Sequence, residues 1–370
     1  MQEHFSFKQQ TWKRLKKNKG AIFGLMIIFI AVLLSLFGYL IAPDNSPNAD
    51  LQTVEIQAKK PGYTQQFLKI SERKYWSGIW IDHFISGERK HYKLIPINGY
   101  KIKGDSLLIN KFIDEDTAVA QYYSINQLTF NHPQDLTTQN IITKKYWLGT
   151  DKFGRDILSR LIIGTRVSLA VGLIAVLISL TLGIILGALA GYFKSWVDEV
   201  VMWLVNVTWS IPTLLLVFAI TLAMGKGFWQ IFIAVGLTMW VSVARLVRGQ
   251  VMAVKELEFV QAAKALGFTN FRVIAKHILP NILGPILVIA ASNFATAIIV
   301  EAGLSFLGIG VQPPQPSWGL MIKENYNFII THNPMLALIP GFAIMLLVLA
   351  FNLLGNGLRD AVDVKMPSAS

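Results

Sequence analysis

Chemistry-bearing residues are sparse in this sequence, and where they cluster they do not compose a catalytic set. The stretch Gly149-Thr150-Asp151-Lys152-Phe153-Gly154-Arg155-Asp156 approaches a phosphate-binding loop, in which backbone amides, a lysine and a hydroxyl cradle phosphates and magnesium. Arg155 and Asp156 stand where Lys and Ser or Thr are required, and a carboxylate there repels phosphate. This chain therefore does not bind ATP in that manner. His4, His83, His91, His132, His277 and His332 lack the i, i+4 pairing of a helical zinc site, and there is no cysteine to supply a thiolate nucleophile, a disulfide or an iron–sulfur ligand. Glu301 is the main carboxylate within the apolar runs, too little material for a proton relay and read as an interfacial hydrogen-bonding residue.

One polar segment satisfies several local rules at once. From Glu256 to Leu266 a short helix is predicted, with Glu256 and Glu258 suited to its positive end, Lys264 to the other, and Gly267 able to take the left-handed position that ends it. A helical period places Glu258, Gln261, Ala262 and Ala265 on a small, polar face and Phe259, Ala263 and Leu266 on a greasy one, which can anchor on the membrane domain. A second helix is predicted from Thr269 as N-cap through Phe271, Ile274 and Ile278 to Pro280. The result is a bent pair. An amphipathic loop lying on the bilayer explains the same pattern equally well on physics alone.

These residues must be positioned by membrane helices. The 370 residues are 53% hydrophobic and 15% charged, and the apolar residues gather into runs of the roughly 20-residue length that spans a bilayer. Six spans are predicted: Ala21 to Ala42, Ser168 to Tyr192, Val200 to Met224, Phe228 to Ala244, Ile282 to Val300 and Pro334 to Leu354. The net charge of +12 alternates with these spans, as orientation signals do, so lipid headgroups and not nucleic acid are the acidic partner. Basic residues crowd the arm 1–20 (Lys8, Lys13, Arg14, Lys16, Lys17, Lys19) and the segment 245–281 (Arg245, Arg248, Lys255, Lys264, Arg272, Lys276). Both are thereby placed in the cytoplasm, with both termini. The first span, 21–42, has too long an apolar run for a cleaved leader and reads as an anchor. Gly183, Gly187 and Gly191 mark a close-packing seam, internal by default. Residues 43–145 form a polar, aromatic insertion placed outside, of β or α+β structure. Asn98-Gly99 and Gly104-Asp105 read as its hairpin turns, and Ser71 to Phe84, with Trp76 and Trp80, as a short helix. Residues 146–370 then form the core with five further helices.

At the polar segment the sequence resembles a known family. Val260-Gln261-Ala262-Ala263-Lys264-Ala265-Leu266-Gly267, followed by His277-Ile278-Leu279-Pro280, is similar to the EAA loop of ABC importer permeases. Four more stretches resemble the "C" subunit of the dipeptide and oligopeptide branch. They are Trp147 to Asp151 with Gly154-Arg155-Asp156, Glu301 to Gly308, Pro316-Ser317-Trp318-Gly319, and Asn352 to Gly355 with Gly357-Leu358-Arg359-Asp360. The resemblance implies a type I ABC importer subunit in a bacterial inner membrane, paired with a related permease, two cytoplasmic ATP-binding subunits and an extracytoplasmic substrate-binding protein. It implies no bond chemistry and no cofactor of its own, ATP being used by the partners. Coupling falls to Glu258, Gln261, Ala262, Ala263, Ala265, Gly267 and Pro280. Gly149, Thr150, Asp151, Gly154, Arg155, Asp156, Glu301, Gly308, Trp318, Arg359 and Asp360 hold structure. Gln261 stands where the motif has Glu, which exchanges an ion pair to the ATPase for a neutral hydrogen bond. Permeases for nickel or another small solute share these motifs, and a membrane-anchored sensor with a working outer domain is the rival from another class.

Overall fold

The computed structural model describes residues 7–71, 80–90, 92–104, 106–124, 140–225, 227–331 and 333–362. In chain order it forms α1 (Phe7–Lys17), α2 (Lys19–Ile41), β1 (Tyr63–Ser71), α3 (Trp80–Ser86), β2 (Tyr92–Lys103), β3 (Ser106–Phe112), β4 (Ala118–Ser124), β5 (Ile141–Tyr146), α4 (Ile157–Phe193), α5 (Ser195–Trp209), α6 (Thr213–Met224), α7 (Phe228–Lys255), α8 (Glu258–Ala265), α9 (Asn270–Arg272), α10 (Leu283–Leu307), α11 (Trp318–Asn325), α12 (Phe328–Thr331) and α13 (Met335–Val362). This is a polytopic helical membrane protein with a small β insertion, the class read from the sequence. The chain divides into two compact units, one of Met1–Val32, Ser168–Gln312 and Phe342–Ser370, the other of Leu33–Val167 and Pro313–Gly341.

Among the described residues five helical runs are long and apolar enough to cross a membrane: α2, α4, α7, Asn270–Leu307 and α13. The predicted third span is not one helix. It breaks into α5 and α6 at an angle of 93°, because Pro212 has no N–H to continue the ladder and fixes its own backbone turn. Span boundaries also move, the fifth running on to Leu307 and the sixth to Val362. Helix α4 starts at Ile157, where Asp156 caps it by accepting from the Ser159 amide at 2.9 Å, while Arg160 and Arg166 mask the helix in an apolar scan. Helix α7 continues from Ala244 to Lys255 on a buried stripe of Val247 and Val251, since helix propensity does not stop where hydropathy does.

The predicted stop at Pro280 is overturned as well. A π-helical turn over Val273–Ile278 and a 3-10 turn over Leu279–Ile282 join α9 to α10. The altered winding relieves the clash and missing donor that proline imposes on a regular helix. The glycine seam is internal: a Cβ on Gly187 would lie 2.5 Å from the Ala244 carbonyl and one on Gly191 2.7 Å from that of Arg248. Helices α4 and α7 thus pack backbone to backbone.

The insertion is a five-stranded antiparallel sheet of order β4-β3-β2-β1-β5. Leu68, Ile95, Ile97, Leu107 and Ile109 fill one face. Ile56, Phe67, Leu94, Phe112 and Tyr146 fill the other. Asn98-Gly99 does not turn the chain. Strand β2 runs through it with a register shift between Ile97 and Gly99, one extra residue being absorbed as a bulge because the pairing on both sides is apolar and continuous. Gly104, at φ +59, makes the hairpin. The predicted helix near Trp80 is present from that residue to Ser86; Trp76 lies outside the described residues.

Candidate functional site

Helix α8 hangs from α7 by a sharp turn. Glu256 does not join the helix as predicted. Its backbone caps α7, and its carboxylate lies 3.3 Å from the Lys194 ammonium. The Gln261 side-chain amide donates to the Lys255 carbonyl at 2.9 Å, satisfying an end carbonyl of α7 and fixing the bend. At the far end Gly267 sits at φ +77, a conformation that costs a side-chain-bearing residue, and the Phe268 amide returns to the Ala263 carbonyl at 3.2 Å. Thr269 then opens the next turn, its hydroxyl accepting from the Arg272 amide at 3.4 Å.

The faces of α8 are rotated from the predicted ones. Val260 and Ala263 are buried, in one cluster with Val251, Val273, Ile278 and Ile282. Phe259 and Leu266, expected to anchor the helix, are exposed with Glu258, Gln261, Ala262 and Ala265. The reason is the turn at Glu256–Leu257, which resets the helical phase relative to α7. The projecting surface is thus partly apolar, and Phe271 adds an 82% exposed ring. Pro280 is exposed at the foot of the segment. Tyr192 forms the post beneath it: its hydroxyl donates to Asn270 Oδ1 at 2.8 Å, its carbonyl accepts from Lys255 Nζ at 2.6 Å, and Lys264 lies 5.0 Å from its ring centre. Nothing in the sequence pattern singled out Tyr192 or Asn270.

The stretch from Gly149 to Asp156 does different work. Arg155, 2% exposed, reaches Asp151 at 2.6 Å, Glu324 at 2.6 Å and Asp50 at 3.1 Å. Arg160, 1% exposed, joins Glu324 at 3.4 Å. Burial opposes the charge on Arg155, yet Asp151 and Glu324 outweigh it and raise its pKa above the ordinary value. Two guanidiniums among three carboxylates close the cluster to solvent. Thr150 braces it by accepting from the Lys59 amide at 2.9 Å, and a Cβ on Gly154 would strike the Thr53 carbonyl at 1.7 Å. Burial raises the pKa of Asp156 despite its hydrogen bonds from Ser159. Gly149, at φ +82, packs on Lys59. Asp50, Arg160 and Glu324 escaped the sequence reading; only the five-residue spacing of Arg155 and Arg160 hinted at a pair.

The remaining motif residues, Arg359 apart, also hold structure. Trp318 donates from its indole nitrogen to the Leu161 carbonyl at 3.0 Å. Glu301 is fully buried and accepts from Ser305 at 2.6 Å, while the Ser305 hydroxyl accepts from the Val311 amide at 3.0 Å. With Gly308 at φ +85, this chain of hydrogen bonds closes the end of α10. Asp360 accepts from Asn18 at 3.1 Å, and Asn18 caps α2; Arg359 is exposed.

Two family profiles match. "Binding-protein-dependent transport system inner membrane component" covers residues 183–367, and "N-terminal TM domain of oligopeptide transport permease C" covers residues 6–58. Similar proteins include the dipeptide transport system permease protein DppC of Alkalihalophilus pseudofirmus, 45% identical over 60% of this chain and 73% of that one. The glutathione transport system permease protein GsiD of Pectobacterium atrosepticum is 42% identical over 60% and 74%. The oligopeptide transport system permease protein OppC of Bacillus subtilis is 38% identical over 63% and 78%. With the spans, the α8 turn and the spaced motifs already in place, these matches make the chain a member of the binding-protein-dependent inner membrane transport components, in the dipeptide and oligopeptide permease C branch of the ABC transporters.

Proposed function

We propose that this chain is a transmembrane subunit of an ATP-driven importer of di- or oligopeptides, in which α8 receives the motion of a partner ATPase. The observation that carries the reading is the exposed, small face of Glu258, Gln261, Ala262 and Ala265 on a helix anchored by Val260 and Ala263. A groove on an ATPase can close over such a face, and the buried cluster below passes its displacement to α7 and α10. Gln261 gives one amide N–H to the α7 end and keeps its Oε1 for a neutral hydrogen bond, so docking rests mainly on shape and apolar contact. Dipeptide, oligopeptide and glutathione cargo, named for the relatives, are all peptides, which favours peptide over nickel here. The subunit would work with a second permease, two ATP-binding subunits and an extracytoplasmic binding protein, both termini and α8 in the cytoplasm and the β insertion outside. It catalyses no bond chemistry itself.

Ala262→Trp and Gly267→Pro test this reading in proteoliposomes holding the whole complex. Uptake is expected to fall by about tenfold or more with insertion in the membrane preserved and ATP hydrolysis no longer tied to transport. Full uptake with full binding-protein-stimulated ATPase activity in both variants would show that α8 is not the docking element.

A further inference from the structure

Two arginines one turn apart on α7 are treated differently by the fold. Arg248 is neutralised: its guanidinium meets Asp198 through two hydrogen bonds of 2.5 Å. Arg245 is not. Among the described residues no carboxylate lies within ion-pair distance of it. Its terminal nitrogen donates to Asn206 Oδ1 at 2.7 Å, and its guanidinium carbon lies 3.7 Å from the centre of the Trp209 ring. A neutral amide and a π face orient a guanidinium without cancelling its charge. The Nε–H is buried with no hydrogen-bond partner.

Its place sharpens the puzzle. Arg245, counted in the sequence with the cytoplasmic segment 245–281, lies 17 residues into α7, about 25 Å at 1.5 Å per residue, within the length of a roughly 30 Å hydrocarbon core. Trp209 is the last residue of α5, and the chain then breaks by 93° before α6. Asn206 and Ser210 are exposed beside it. An uncompensated charge beside an exposed amide does not face lipid; it faces water or a polar ligand. Broken membrane helices are where transporters hold such ligands, since freed backbone groups and helix ends converge there.

We infer that Arg245, set by Asn206 and Trp209 at the α5–α6 break, is a carboxylate-binding site on the transport path that takes the C-terminal carboxylate of a passing peptide. The inference rests on the peptide reading above. The guanidinium fork matches a carboxylate in two parallel hydrogen bonds, and a terminal carboxylate is common to peptides of every side-chain composition. A site of this kind guides cargo without selecting its sequence. The competing role is purely structural, Arg245 pinning the negative end of α5.

The whole complex in lipid nanodiscs, titrated with Ala-Phe and with Ala-Phe amide and followed by saturation-transfer NMR, separates the two roles. The wild type is expected to bind the free acid about tenfold more tightly than the amide, the strength of a hydrogen bond between charged groups. Arg245→Gln brings that ratio close to one, and Arg245→Lys keeps part of it, charge without the fork. Equal affinities in the wild type, no binding of either peptide, or an unchanged ratio in Arg245→Gln would each overturn the site. The wild-type comparison needs no variant to fold. Uptake of Ala-Phe with the binding protein present is measured on the same purified complex reconstituted into proteoliposomes. Uptake without the acid preference sinks the Arg245 site alone, whereas absence of uptake of Ala-Phe and of a tetra-alanine probe by an actively hydrolysing complex sinks the peptide reading itself.

Discussion

The α8 segment and the Arg155 cluster both carry family motifs, yet the fold uses them in opposite ways. On α8 the motif face points outward, small and only partly polar, while two apolar residues hold the helix down. Around Arg155 the motif side chains turn inward and bond to other parts of their own chain. An outward motif with little internal bonding leaves its binding capacity for a partner. An inward one has spent it on the chain's own architecture, and its charges are a matter of folding. The same logic separates Arg248, bound to Asp198, from Arg245.

The largest expected effect breaks the inward case. Arg155→Ala takes the nearest cation from buried Asp151 and Glu324 and leaves them only Arg160, at 3.7 and 3.4 Å, a loss of about 3 kcal/mol. Thermal unfolding in detergent reads it, and a variant as stable as the wild type would show that the cluster is not structural.

A second effect follows from pH and should be largest in the β-bearing unit. Burial, with Lys90 close by, lowers Lys144 to a pKa of about 8, below the roughly 10.4 of an unfolded lysine. Between those values the unfolded chain holds a proton that the folded chain has lost, so stability rises with pH. Below about 8 the penalty of the buried charge is fully present. Hydrogen exchange should therefore slow in β1 and β5 between about pH 8 and pH 10, once corrected for the intrinsic rate, and Lys144→Met should remove that dependence. A slope of equal size in α8, or one that survives in the variant, would erase the contrast between the two regions.

The smallest effect sharpens the outward case. Thr269→Ala removes the N-cap hydroxyl at the foot of the coupling segment and is expected to cost about 1 kcal/mol. Exchange in Asn270–Ile282 reads it, with the Arg155 cluster unaffected.

Much was legible in the chain itself. Apolar runs of bilayer length, basic residues between them, Gly267 after an amphipathic octet and Thr269 before the next turn are local signals, set by hydropathy and backbone preference over a few residues. They were enough for the class, for most spans and for the existence of α8. The rest depends on groups distant in sequence. Only the folded chain brings Glu324 to Arg155, or rotates α8 so that Val260, and not Phe259, faces inward. Only it decides that Pro212 breaks a span while Pro280 is absorbed by a 3-10 turn. Hydropathy reports whether a residue can be buried; which neighbour it is buried against, and whether its charge finds a counter-charge as Arg248 does and Arg245 does not, is settled by packing alone.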